Sequence, residues 1–232
     1  MKLFLLMLLP SLAFGQVMFN GYVPQVETPV ALAVDDTSVI SRTQVSTGAV
    51  NMTFASTNQR LALVTINGKD FSFWKVDSVK LKNAGTSFTR IDSVNRFDLR
   101  TEVWKLLAPP TGTDSVKVWI SASTVDWVLG CVSFVGVNQT TPYGTPASGG
   151  FGVSPLTETI SSTSGNIMFA TGAVASGTSA TEGSGVTSWF NLKIGNVVGV
   201  TGQKAAGGSV TVQYTYAPSG NNGTYWVVEI ND

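Results

Sequence analysis

In residues 113–121, Thr-Asp-Ser-Val-Lys-Val-Trp-Ile-Ser, an aliphatic side chain recurs at every second position from Val116 to Ile120. In an extended chain successive side chains point to opposite faces. Val116, Val118 and Ile120 therefore line one face and Ser115, Lys117 and Trp119 the other. The rule recurs in Gly-Ser-Val-Thr-Val-Gln-Tyr-Thr-Tyr at 208–216, with Val210, Val212, Tyr214 and Tyr216 inward and Thr211, Gln213 and Thr215 outward. At 225–230, Trp226, Val228 and Ile230 share a face. The run Asp-Trp-Val-Leu-Gly-Cys-Val-Ser-Phe-Val-Gly-Val at 126–137 is apolar on both faces, as a central covered strand would be. No helical period persists for ten residues or more.

Short strands between Gly, Pro, Asn and Ser punctuation predict an all-β protein. We expect a single antiparallel β-sandwich over residues 46–232, with jelly-roll or Greek-key connections. Residues 141–166, rich in Gly, Pro, Ser and Thr, read as a long surface connection inside that body. Two tandem domains are the alternative.

The N-terminus differs. Lys2, the apolar run Leu3–Leu9 and the small residues around Ala13-Phe14-Gly15 form a signal peptide over residues 1–15. The run is too short for a membrane span of roughly 20 residues. The predicted location is therefore secreted, in the medium or at a cell surface, with no membrane span after cleavage. Residues 16–45 carry two prolines ahead of one apolar run. They read either as an edge strand of the same sandwich or as an extended arm. As an arm, Pro29, Val30, Leu32 and Val34 would add a strand to the next copy in a head-to-tail homopolymer.

Composition excludes several functions. The formal net charge is +0 with 12% charged residues, so no electrostatic footprint for nucleic acid exists. The chain has no histidine, which removes Ser-His and Cys-His nucleophile pairs and the commonest metal ligand. Its one cysteine, Cys131, lies in an apolar run and reads as a small core residue. Carboxylates are scattered, and Asp35-Asp36 is the one adjacent pair. Calcium needs only oxygen ligands, some of which that pair offers, but no spaced acidic loop accompanies it. We expect no catalytic residue, no cofactor and no metal.

Two segments carry a family resemblance. In 101–121, Trp104, Leu106, Pro109, Pro110, Gly112 and Val116 match a motif, and in 128–145, Phe134, Gly136, Val137, Gln139, Thr140 and Pro142 match another. Together they are similar to a jelly-roll domain, often in tandem, of bacterial and environmental surface proteins. The resemblance implies an extracellular module without a defined activity. More weakly, the arm, the sandwich and the attachment sites below resemble subunits of extracellular glycosylated fibrils. That implies a glycosylated structural protein that self-assembles.

Two kinds of site remain. Asp-Ser-Val occurs three times, at 77–79, 92–94 and 114–116. It resembles the O-glycan acceptor of Bacteroidota, which nominates Ser115, Ser78 and Ser93; a simple strand start is the alternative. Asn-x-Thr sequons nominate Asn51, Asn138 and Asn222 for N-linked glycans. Alternation also turns Trp119, Trp189 and Tyr225 away from their strands' main apolar rows. An outward ring can stack on a sugar, so these three are candidates for bound glycan; burial under a loop or second sheet is the competing reading.

Overall fold

The computed structural model describes residues 30–69, 74–175, 179–217 and 222–232. Its regular structure is entirely strand, in four antiparallel sheets, with no helix among the described residues. The expected signal peptide over residues 1–15 and the expected arm up to and including Pro29 lie outside the described residues.

The first eight strands are β1 (Ala33–Thr43), β2 (Thr47–Phe54), β3 (Arg60–Lys69), β4 (Val76–Leu81), β5 (Thr89–Arg96), β6 (Leu99–Leu107), β7 (Gly112–Ile120) and β8 (Asp126–Val135). They form a five-stranded sheet in the order β1-β8-β3-β6-β5 and a three-stranded sheet in the order β2-β7-β4. Eight more follow: β9 (Ala147–Phe151), β10 (Leu156–Ser162), β11 (Ile167–Ala175), β12 (Ala180–Glu182), β13 (Thr187–Ile194), β14 (Val197–Ala205), β15 (Gly208–Tyr216) and β16 (Gly223–Ile230). Their sheets run β9-β16-β11-β14-β13 and β10-β15-β12. The second set repeats the connectivity of the first strand for strand.

Each five-stranded sheet packs on its own three-stranded sheet. In the first sandwich Val50, Met52, Val79, Val116 and Val118 meet Val64, Ile66, Trp127 and Leu129. In the second, Leu156, Val210, Val212 and Tyr214 meet Met168, Ala170, Val198 and Val200. The two five-stranded sheets then face each other. Leu61, Leu63, Val132 and Phe134 from one pack on Phe169, Trp226, Val228 and Ile230 from the other. The described residues form four stacked layers, with a core inside each sandwich and a seam core between them that a small cluster of Leu99, Ala173 and Val197 adjoins.

This layering replaces the single sandwich over 46–232. It also explains why β8 is apolar throughout: Trp127, Leu129 and Cys131 fill the first sandwich, while Val132 and Phe134 fill the seam between the two. In β16, likewise, Val227 faces one core while Trp226, Val228 and Ile230 face another. The expected surface connection at 141–166 instead holds β9 and β10 of the second sandwich. Their Gly, Ser and Thr content conceals them, because β10 buries only Leu156 fully and exposes Thr157, Thr159 and Ser161.

The arm also changes. β1 pairs with β8 of its own chain from Ala33↔Val135 to Thr43↔Asp126. This is the edge-strand alternative. Leu32 and Val34, expected to serve a neighbouring copy, pack partly against the seam core, and Val30 is exposed. The chain reaches β1 by crossing closely over Gly136, where an added Cβ would lie 2.3 Å from the Val30 carbonyl oxygen. Gly136 also has φ +69, so glycine is required there on two counts.

The seam is not purely apolar. Thr65, Asn67 and Thr101 from the first sandwich meet Thr171, Thr201 and Thr224 from the second, all at most 1% exposed. Asn67 donates to Thr171 Oγ1 at 3.1 Å and accepts from Thr101 at 2.8 Å. Thr201 donates to Thr171 Oγ1 at 2.8 Å. Buried polar groups cost little when so paired and much when not, so the network fixes one register of sheet on sheet.

Candidate functional site

Four residues singled out separately in the sequence meet on one surface, the outer face of the β2-β7-β4 sheet. Strand pairing does this. Trp119 on β7 stands between Thr47 of β2 and Ser78 of β4. One step along, Lys117 stands between Ala49 and Lys80. Next, Ser115 is opposite Asn51, and its carbonyl accepts the amide of Lys82 at 2.8 Å. Thr113 opposite Thr53 ends the face, their hydroxyls 3.0 Å apart.

Burial confirms the direction of these side chains. Val116, Val118 and Ile120 are buried, whereas Ser115, Lys117 and Trp119 are half-buried. Ser78 is half-buried, and Lys80, Lys82, Asn51 and Thr47 are exposed. Lys117 Nζ lies 4.6 Å from the centre of the Trp119 ring, a cation–π contact. Among the described residues, no carboxylate lies within ion-pair distance of Lys80, Lys82 or Lys117.

The other nominated aromatics are used internally. Trp189 packs its ring 5.8 Å from Phe134 and 5.7 Å from Phe169 in the seam. Alternation expects it to point away from Phe190, but a register shift between Ser188 and Phe190 makes Trp189 the extra residue of a bulge. A bulge breaks the period of two. Both rings then turn to the seam, where Phe190 fills the space left by Gly130. Tyr225 does point away from Trp226, but lies half-buried against the core of the second sandwich. Burial and then Glu158 raise its phenol above the ordinary value.

The Asp-Ser-Val copies have local structural roles. Asp114 accepts amides from Asn83 and Ala84, each at 3.0 Å, and from Ser115 at 2.6 Å, tying the turn after β4 to β7. Burial would raise its pKa, but these amides and Lys82 outweigh that and hold it below the usual value. Asp92 accepts the amide of Ser93 at 2.7 Å just after a bulge, and Asp77 is itself the extra residue of another. Ser78 and Ser115 face outward. The Ser93 hydroxyl is buried.

The sequons also differ. Asn51 is exposed on the face described above. Asn138 accepts the amides of Thr140 and Thr141 at 3.0 and 2.9 Å, which fixes the turn between the two sandwiches. In the Asn222 sequon, Thr224 is fully buried in the seam.

Asp35 and Asp36 are bound within the first sandwich. Asp35 accepts from Ala55 N and Ser133 Oγ, and Asp36 from Thr37 N and Thr53 N. Among the described residues no three His, Cys, Asp or Glu side chains gather into a metal-binding group. Cys131 is buried, which pushes its thiol pKa far upward and leaves it a core residue.

Sequence reasoning did not bring out the lysines. Alternation places Lys80 and Lys117 outward, but their juxtaposition depends on β4 pairing with β7, two strands distant in sequence. Comparison with protein-family models, curated proteins and solved structures finds no match for the chain.

Proposed function

We propose that the chain is a secreted surface module that binds glycan on the outer face of the β2-β7-β4 sheet. In this reading each sandwich is a variant jelly roll, its eight strands divided five and three between two sheets. The paired jelly rolls act as a rigid platform, and no catalytic role is assigned to any residue. One observation carries the reading: Trp119 stands on an outward face among polar neighbours, while the half-buried rings of Trp189 and Tyr225 lie against the seam and the second core. A ring so placed offers a sugar a flat apolar surface, with Thr47, Ser78 and Lys117 beside it for its hydroxyls. The test is retention on immobilised polysaccharides. Trp119→Ala should lose retention with an unchanged melting temperature, and equal retention by the variant would remove the site.

Self-assembly is the second reading, and the position of β1 favours it. Among the described residues β1 is the first strand, lies at a sheet edge and pairs with β8 alone. Exchange of β1 between copies would reuse the same ladder in a head-to-tail chain of molecules, a form of domain swapping. Covalent glycans on Ser115 or Ser78 would then coat the fibre. Filaments from the intact chain that vanish when residues 16–45 are deleted would support exchange, and a strictly monomeric intact chain would oppose it.

A further inference from the structure

We propose that the outer face of the β2-β7-β4 sheet selects an acidic polysaccharide, one bearing carboxylate or sulfate groups, over neutral glycans. The proposal rests on the glycan-binding reading above and specifies its ligand.

Lys80 and Lys117 are directly opposed on neighbouring strands, an arrangement in which like charges repel. Lys82 follows directly after β4, its amide bonded to the Ser115 carbonyl. The carboxylates beside this face are Asp114, Asp77 and, at its Thr53 end, Asp36. Asp114 feels Lys82 but is engaged by three backbone amides, and Asp77 faces Lys75 at 3.9 Å. Lys80, Lys82 and Lys117 against Asp114 and Asp36 leave a surplus of one, since Lys75 and Asp77 cancel, and none of the three lysines makes an ion pair among the described residues. This is a concentration of positive charge in a chain of net charge +0.

The equivalent face of the second sandwich shows that the fold does not require it. There the outward residues are Thr157, Thr159 and Ser161 on β10, and Ser209, Thr211, Gln213 and Thr215 on β15. None is charged and none is aromatic. Of the two corresponding faces, one combines a tryptophan with unpaired lysines.

The Lys117–Trp119 contact adds selectivity. A sugar that stacks on Trp119 from the side of Lys117 must displace the ammonium from the ring. A neutral sugar leaves that ammonium with water alone. An acidic sugar offers it an anion, and the same anion relieves the repulsion with Lys80. Successive outward residues on a strand stand about 6.8 Å apart and neighbouring strands about 4.8 Å apart, so one anionic group can meet both lysines.

The experiment measures binding of the full chain to polygalacturonate, chondroitin sulfate, a neutral β-glucan and duplex DNA, at low and high salt. Variants are Trp119→Ala and the pair Lys80→Gln/Lys117→Gln, whose folding is checked by melting temperature. The expected result is binding to one or both acidic polysaccharides, with polygalacturonate reporting carboxylate and chondroitin sulfate reporting sulfate recognition. Binding should weaken with salt and fall by about tenfold or more in each variant. Equal binding to the neutral glucan would overturn the selectivity but leave glycan binding standing. Binding to none of the glycans would remove both. Equal binding to DNA, or acidic-glycan binding unaffected by either variant, would also overturn the proposal.

Discussion

Thr101 on β6 and Thr224 on β16 share a hydrogen bond of 2.7 Å across the seam between the two sandwiches. Both are at most 1% exposed, and Thr101 also donates to Asn67. The seam is therefore a core, not a surface contact between independent bodies. The expected outcome is one cooperative urea transition, coincident by tryptophan fluorescence and circular dichroism. Asn67→Ala should lower stability by about 1–3 kcal/mol through the partners it leaves. Two separate transitions would show that the sandwiches fold independently.

Gly130 and Phe190 form a second lock. A Cβ at Gly130 would sit 1.9 Å from Phe190 Cζ, so the ring occupies the space of a missing side chain. Phe190→Ala is expected to cost about 3–5 kcal/mol by opening a cavity. Gly130→Ala should cost about 1–3 kcal/mol by overpacking. In a Phe190→Leu background the Gly130→Ala penalty should shrink, and strict additivity in the denaturation midpoints would contradict the contact.

Period-two alternation was enough to place β7, β15 and β16 and the direction of Ser115, Lys117 and Trp119. The doubly apolar β8 was legible as a covered strand, but not that it covers two different cores. The count of sandwiches was hidden because β9 and β10 expose mostly Gly, Ser and Thr, which read as loop. The repeated connectivity has no matching sequence repeat: corresponding outer faces carry Lys and Trp in one sandwich and Thr and Gln in the other. Trp189 was misdirected because one inserted bulge residue reverses every later side chain, and nothing in the local sequence marks that insertion.

Glu102 tests the first sandwich. It is fully buried and accepts from Arg100 Nε at 2.6 Å, Trp104 Nε1 at 3.1 Å and the Val76 amide at 3.1 Å. Glu102→Ala leaves the Arg100 guanidinium and two further donors without their acceptor, at an expected cost of about 3–5 kcal/mol. Glu102→Gln keeps the shape and one acceptor oxygen and should cost less. Thermal melts of both variants check the order, and equal costs would show that packing rather than charge matters there.

Asp114 gives a pH signature. Its folded pKa lies below the ordinary value of 3.8, so the carboxylate adds stability above that value. As pH falls through the lower folded pKa, the folded protein takes up the proton and the contribution disappears. Wild type should exceed Asp114→Asn in stability at neutral pH, and the gap should close as the solution becomes strongly acidic. A gap that does not change with pH would mean that the three amide contacts do not depend on the charge.

Ligand bound on the outer β2-β7-β4 face would shield its lysines, which footprinting reads one by one. The intact chain is acetylated with and without a saturating acidic polysaccharide, and each site is read by mass spectrometry. Lys80, Lys82 and Lys117 are expected to be protected, with the exposed Lys193 on β13 unchanged. Protection of Lys193 in place of those three, or none at all with ligand bound, would contradict binding on that face.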